Sequence, residues 1–202
     1  MKNLIFLFCS LVTFLIIGCQ QKQIQYDILI KNAQILDGSG KPAYPGDIAI
    51  NADTIAAVGY IENANGKQEI DATGLSVAPG FINMLSWANV SLLEDDRSQG
   101  DIRQGVTLEV LGEGSSMGPL SEAMKIEMKE SQGDIKYDVP WTTLGEYLNH
   151  LEQKGISTNV ASFVGNATLR EHVIGIEKRL PTEDEMTQMK KPRGGTSGLC
   201  YY

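Results

Sequence analysis

A chain of 202 residues with 42% hydrophobic and 21% charged residues has ordinary globular composition, which argues against a disordered or low-complexity protein. The formal net charge of −8 comes with no basic stripe, so nucleic acid is not an expected partner. The three cysteines, Cys9, Cys19 and Cys200, form no cluster with zinc-ligand spacing.

At the N-terminus, Lys2 precedes the apolar run Leu4 to Ile17, which is shorter than the ~20 residues of a bilayer-spanning helix. The run ends in Ile16-Ile17-Gly18-Cys19, which resembles a bacterial lipobox. Residues 1–18 therefore read as a lipoprotein signal peptide, Cys19 as the lipidated residue and residues 19–25 as a polar tether. The expectation is an exported protein held by a lipid anchor in the membrane of the bacterial cell envelope. An ordinary secretory signal with an incidental cysteine is the alternative.

Residues 26–37 are rich in isoleucine and leucine and read as a pair of strands, broken by Gly38-Ser39-Gly40 and Pro42. Asp47 to Ile50 and Thr54 to Gly59 flank a turn at Ala52-Asp53. With Gln68 to Asp71 and Ser76 to Ala78, they predict a small β-meander over residues 26–78.

After Pro79-Gly80 strands alternate with helices, the mark of a parallel α/β unit. Phe81 to Leu85 reads as a buried strand, Asp95 to Gln104 as a short polar helix and Val106 to Leu111 as the next strand. A glycine-rich loop, Gly112 to Pro119, follows it. Thr143 and Glu146 make a capping box, so a helix starts there. Its apolar stripe is Leu144, Tyr147, Leu148 and Leu151, and Gly155 is the natural stop. Thr158 to Val164 supplies another strand, and Thr182 with Glu185 opens a last helix on a second capping box.

Met186 and Met189 give that helix an apolar face, but Pro192 ends it after about two turns. Residues 191–202 carry no periodicity. A frame disruption near Lys190 is the expected cause, with a disordered C-terminus as the alternative. The predicted fold class is α/β. A small N-terminal β-domain (26–78) precedes the first β/α units (79–190) of an incomplete TIM-type barrel, and residues 191–202 form an aberrant tail.

Several motifs resemble one known family in order and spacing. Asp27 to Ala33 with Leu36-Asp37-Gly38, then Gly46 to Ile50 with Ile55 to Gly59, resemble the N-terminal sheet of dihydroorotase-like amidohydrolases. Ile70 to Gly74 and Ala78-Pro79-Gly80-Phe81-Ile82 continue that likeness. Arg103 to Thr107 and Phe163 to Arg170 look like the D-aminoacylase branch, whose members hydrolyse N-acyl-D-amino acids. The resemblance implies a hydrolase of linear carbon–nitrogen amide bonds, a small-molecule N-acyl amino acid or related amide as partner, and zinc in the full-length family. In that chemistry a metal activates water and polarises the scissile carbonyl.

The resemblance also implies losses. The family usually continues Pro-Gly-Phe-Ile-Asp-x-His-x-His, with both histidines holding metal, and the matching residues here are Asn83, Leu85 and Trp87. Gly114 stands where the branch has a zinc-ligating cysteine, and Asn166 where it often has histidine. Remaining ligands of the family would fall beyond residue 202, so no zinc is expected in this chain and its product is expected to be truncated and inactive.

Active groups of a β/α barrel sit at the C-terminal ends of strands. Glu113 is the candidate oxygen ligand for a metal, with capping of a helix near Ser121 as its alternative. Trp87, Ser115 and Asn166 are candidate pocket residues, Trp87 having core filling as its alternative. His150 and His172 read as structural or surface residues, and Glu94-Asp95-Asp96 as a solvated acidic run. The competing reading of the whole chain is a non-catalytic exported lipoprotein that uses the scaffold as a binding module.

Overall fold

The computed structural model describes residues 23–191, which divide between Pro79 and Gly80 into two compact units. The predicted signal peptide, Cys19 and the tail beyond Lys191 lie outside the described residues.

In the first unit, Ile24–Ile35 is β1, Tyr44–Asn51 β2, Thr54–Gly59 β3, Ala64–Asp71 β4 and Ser76–Val77 β5. Residues 26–37 are thus part of one long strand and not two. The apparent break is Asn32, at φ 61°, where the β1–β2 register slips between Ile30 and Ala33. Asparagine tolerates this left-handed conformation. Its backbone N–H, freed from the ladder, donates to the Asp47 carboxylate at 2.9 Å. The sheet order is β3-β2-β1-β4, with β5 also against β1. It is not a simple meander: β1, β2 and β3 are antiparallel neighbours, but β4 and β5 run parallel to β1. Ala33, Ile35, Ile48 and Ala72 form its buried cluster.

The second unit is a three-stranded parallel sheet, β6 (Phe81–Asn83), β7 (Val106–Leu111) and β8 (Asn159–Ser162), in the order β6-β7-β8. Its helices are α1 (Ser91–Glu94), α2 (Gln99–Ile102), α3 (Glu122–Glu130), α4 (Leu144–Lys154), α5 (Asn166–Ile174) and α6 (Glu183–Lys190). The fold class is α/β, as expected from the alternating pattern. The predicted helix over 95–104 shrinks to the single turn of α2, and the turn of α1 ends just ahead of it. Asp95 is extended, and its carboxylate accepts the Arg97 backbone N–H at 3.1 Å and the guanidinium at 2.8 Å. Such Asx turns compete with helix.

The predicted buried strand 81–85 is both shorter and open. It ends at Asn83, and Phe81 and Ile82 are 61% and 55% exposed, because β6 is an edge of the sheet, with no strand beyond it among the described residues. The core lies elsewhere, on the side of α3 and α4: Leu92, Leu111, Met117, Leu120, Met124, Val139, Trp141, Leu144, Tyr147 and Leu151 cluster there. Helix α4 forms as its sequence demands. Thr143 and Glu146 make a reciprocal capping box, and Gly155 closes the helix at φ 82°.

The capping box of α6 is reinforced by charge. Glu185 accepts both guanidinium arms of Arg179 at 2.7 Å, and the Thr182 backbone N–H at 2.8 Å. The Arg179 bonds first, then the Thr182 amide, hold the Glu185 carboxyl down to about 2 from its usual 4.5. A depressed folded pKa adds stability above the unfolded value and loses it as pH falls towards the folded one. The start of α6 is therefore expected to loosen between pH 4.5 and about 2. Hydrogen exchange across 182–187 followed against pH checks this, and Arg179→Gln should shift the loosening to higher pH.

Candidate active site at the C-terminal ends of the parallel strands

Because β6, β7 and β8 are parallel, their C-terminal ends lie on one side of the sheet, where β/α folds place their chemistry. Three segments leave those ends: Asn83 to Trp87 after β6, Gly112 to Gly118 after β7, and Phe163 to Asn166 after β8.

The second and third segments are bound closely together. The Ser116 N–H donates to the Thr168 hydroxyl at 2.8 Å, and that hydroxyl donates to the Ser116 carbonyl at 3.2 Å. The Ser116 hydroxyl accepts the Gly165 N–H at 2.9 Å and donates to the Gly118 carbonyl at 2.7 Å. The Ala167 N–H donates to the Gly114 carbonyl at 2.8 Å. Glycine is required at two points. Gly112 sits at φ 87° with its missing Cβ against the Phe163 carbonyl, and a Cβ on Gly165 would lie 2.6 Å from the Ser115 Cα.

This junction brings Glu113, Ser115 and Asn166 onto adjoining segments, and all three are exposed at the rim. Ser116, in the same loop, and Thr168 are buried and hold the junction. Glu113 is not the helix cap of the alternative reading, since α3 is capped by its own Ser121 hydroxyl, which accepts the Met124 N–H.

The segment after β6 is tied to β7 by the Ser86 N–H, which donates to the Val110 carbonyl at 3.0 Å. Met84 and Leu85 are in a turn, Leu85 is 54% exposed and Trp87 71% exposed. Trp87 therefore does not fill a core. The residue that does fill one is Trp141, whose ring meets Tyr147 edge-on at 5.1 Å.

The histidines are both half-buried on helices. His150 lies in α4 with its ring 5.3 Å from that of Trp141, and His172 lies in α5. The acidic run is solvated in part and paired: Asp95 with Arg97 at 2.8 Å, Asp96 with Lys154 at 3.8 Å.

One functional candidate escaped the sequence reading altogether. Glu109, in the middle of β7, has no exposed surface. Its carboxylate accepts the hydroxyls of Ser86 at 2.6 Å, Ser98 at 2.6 Å and Thr158 at 2.9 Å. The available signal was a lone acid in an otherwise apolar strand, Val-Thr-Leu-Glu-Val-Leu. Nearby, burial pushes the Tyr147 phenol up, and the Glu109 charge adds to that shift. The Tyr147 hydroxyl donates to the Asn89 carbonyl at 2.7 Å.

Among the described residues no group of three or more His, Cys, Asp or Glu is placed to hold a metal ion. Glu113 stands alone, Leu85 and Trp87 cannot ligate, and the Glu109 oxygens are already taken by hydroxyls.

No family model matches the chain. The D-aminoacylase of Alcaligenes xylosoxydans xylosoxydans is 31% identical over 169 residues, 82% of this chain and 34% of that protein. The N-acyl-D-aspartate deacylase of the same organism is 33% identical over 167 residues, 82% of this chain and 33% of that protein. Among solved structures, a D-aminoacylase described with a binuclear metal centre superposes at a TM-score of 0.69. It is 29% identical and matches 81% of this chain and 34% of its own. The N-acyl-D-glutamate deacylase of Bordetella bronchiseptica, complexed with zinc and a phosphonate inhibitor, gives 0.67 at 28% identity, over 82% of this chain and 35% of its own. The chain is similar to these D-aminoacylases and N-acyl-D-amino-acid deacylases, and it spans about a third of their length.

Proposed function

We propose that the strand ends of the second unit form one wall of an active centre for hydrolysis of linear amides of the N-acyl-D-amino-acid class. The observation that carries this is the agreement in sequence and fold with D-aminoacylases over 82% of the chain, combined with the loops gathered at one end of a parallel sheet. In this reading Leu85 and Trp87 offer apolar surface to the acyl group or side chain. Ser115, Asn166 and Glu113 supply hydrogen-bonding groups at the rim, Glu113 as an acceptor.

The wall is not a complete catalyst. Water-activating chemistry needs a positioned base, and the metal chemistry of the relatives needs several ligands facing one pocket. The described residues do not supply that set, so the 202-residue chain on its own is proposed to be inactive. The second reading, a binding module without catalysis, is favoured by Leu85 and Trp87 standing where the family resemblance places metal-holding histidines.

Incubating the purified chain with N-acyl-D-amino acids and added Zn²⁺, and following release of free amino acid, is expected to show no turnover. Metal-dependent turnover abolished by Glu113→Ala would overturn the inactivity and make that carboxylate a ligand. Binding of the same amides without turnover supports the module reading.

Export and lipid anchoring at Cys19 belong to the same proposal. The support is the short apolar run ending in Gly18-Cys19. Since one acyl chain gives only marginal membrane binding, multiple acylation at Cys19 is expected. Intact-mass analysis of protein from a bacterial membrane fraction checks it. A chain retaining Met1, or one cut before Cys19 without added lipid mass, sinks the idea.

A further inference from the structure

Withdrawing a carboxylate from water is strongly unfavourable unless its lone pairs are taken up. Among the described residues Glu109 meets that demand with three hydroxyls and no cation. The donors come from three separate stretches: Ser86 after β6, Ser98 before α2, and Thr158 just ahead of β8. Short hydroxyl-to-carboxylate bonds such as these are the strong class. An apolar residue at this position would suit a strand flanked by Leu108 and Val110. The carboxylate is therefore explained by what it holds.

We infer that Glu109 is a positioning residue: from within the core it latches the Ser86 hydroxyl, and so sets the segment carrying Leu85 and Trp87 over the strand ends. This rests on the proposed reading of that face as a wall of an active centre.

The geometry of Ser86 makes the latch effective. Its hydroxyl donates to Glu109 at 2.6 Å and accepts the Ala88 N–H at 3.3 Å, so one fixed side chain constrains the backbone on both sides of Trp87. Ser86 is 6% exposed, while both its neighbours project into solvent. The same carboxylate holds Ser98, which adopts φ 43° without capping α2 through its side chain. A left-handed serine is uncommon and persists where its surroundings fix it. Glu109 thus holds the β6–β7 connection at two points, Ser86 near its start and Ser98 ahead of α2.

The test uses the full chain and needs no turnover. It has two tryptophans, exposed Trp87 and buried Trp141, so acrylamide quenching reports on Trp87. Glu109→Gln and Ser86→Ala are each expected to raise that quenching. Each should also speed exchange of the Leu85 and Ser86 amides roughly tenfold, the size of one lost hydrogen bond to a charged group. Neither amide is bonded to the Ser86 hydroxyl, so the effect must pass through the segment. The double variant should do no more than the stronger single one.

Thr158→Val removes a different hydroxyl from the same carboxylate. It should speed exchange at the start of β8 and leave Trp87 quenching as it was. Unchanged quenching and exchange in Ser86→Ala, or equal loosening in Thr158→Val, would overturn the latch. If Glu109→Gln does not fold, Ser86→Ala against Thr158→Val decides alone. A chain that never binds amides but passes this test loses the active-centre reading and keeps the latch.

Discussion

Protein comprising residues 23–191 is expected to self-associate through β6. Parallel sheets are normally covered on both faces, and their free edges offer unpaired backbone groups to other chains. Here β6 and β8 are both edges, and Phe81, Ile82, Met84, Leu85 and Trp87 crowd one of them with exposed apolar surface. Covering a large apolar side chain fully is worth about 1.5–3 kcal/mol, so this many exposed together favour association. Sedimentation velocity at rising concentration should show species larger than the monomer. Ile82→Lys with Leu85→Lys, placing charges on the edge, should shift the distribution back. A monomer that unfolds in one sharp transition, even when concentrated, would contradict the expectation.

The second large effect is expected inside the helical cluster. Trp141→Ala should cost about 3–5 kcal/mol, because a buried aromatic loses both its transfer energy and its packing. Trp141 is 2% exposed and makes an edge-on contact with Tyr147, an arrangement worth about 0.5–1.5 kcal/mol beyond area. Whole domains are stable by only about 5–15 kcal/mol, so the second unit should be largely unfolded under mild denaturant. Tyr147→Phe keeps the ring and loses only the bond to the Asn89 carbonyl, for about 1 kcal/mol. Tyr60, 85% exposed in the first unit, is the control, and Tyr60→Ala should stay within about 0.5 kcal/mol. Urea midpoints by circular dichroism order the three. If Trp141→Ala unfolds no earlier than Tyr60→Ala, the cluster is not the core of that unit.

What the sequence determined by itself is local. The capping boxes at Thr143 and Thr182 and the stop at Gly155 appear as read, and of the stripe, Leu144, Tyr147 and Leu151 are buried with Leu148 half-buried against them. Each depends on groups within about two helical turns, where spacing along the chain fixes spacing in space. Strand β7 and the β2–β3 turn were legible for the same reason: a short β-branched apolar run and turn residues act between near neighbours.

Only the tertiary structure decided the rest. That β4 lies parallel beside β1 depends on which non-local edge the chain returns to, and no short pattern encodes that choice. Phe81 to Leu85 looked buried because apolar runs usually are, but burial is conferred by neighbours, and among the described residues no strand lies on the outer side of β6. The site shows the same division. Glu113, Ser115 and Asn166 could be placed at strand ends from their position in the β/α pattern. The bonds that organise that end could not be read in advance. Ser116 meets Thr168 across 52 residues, and Glu109 meets Ser86 across 23 and Thr158 across 49. A lone glutamate in an apolar strand says only that something must satisfy it. Which hydroxyls do so is settled when three distant segments pack together and water is excluded from the space between them.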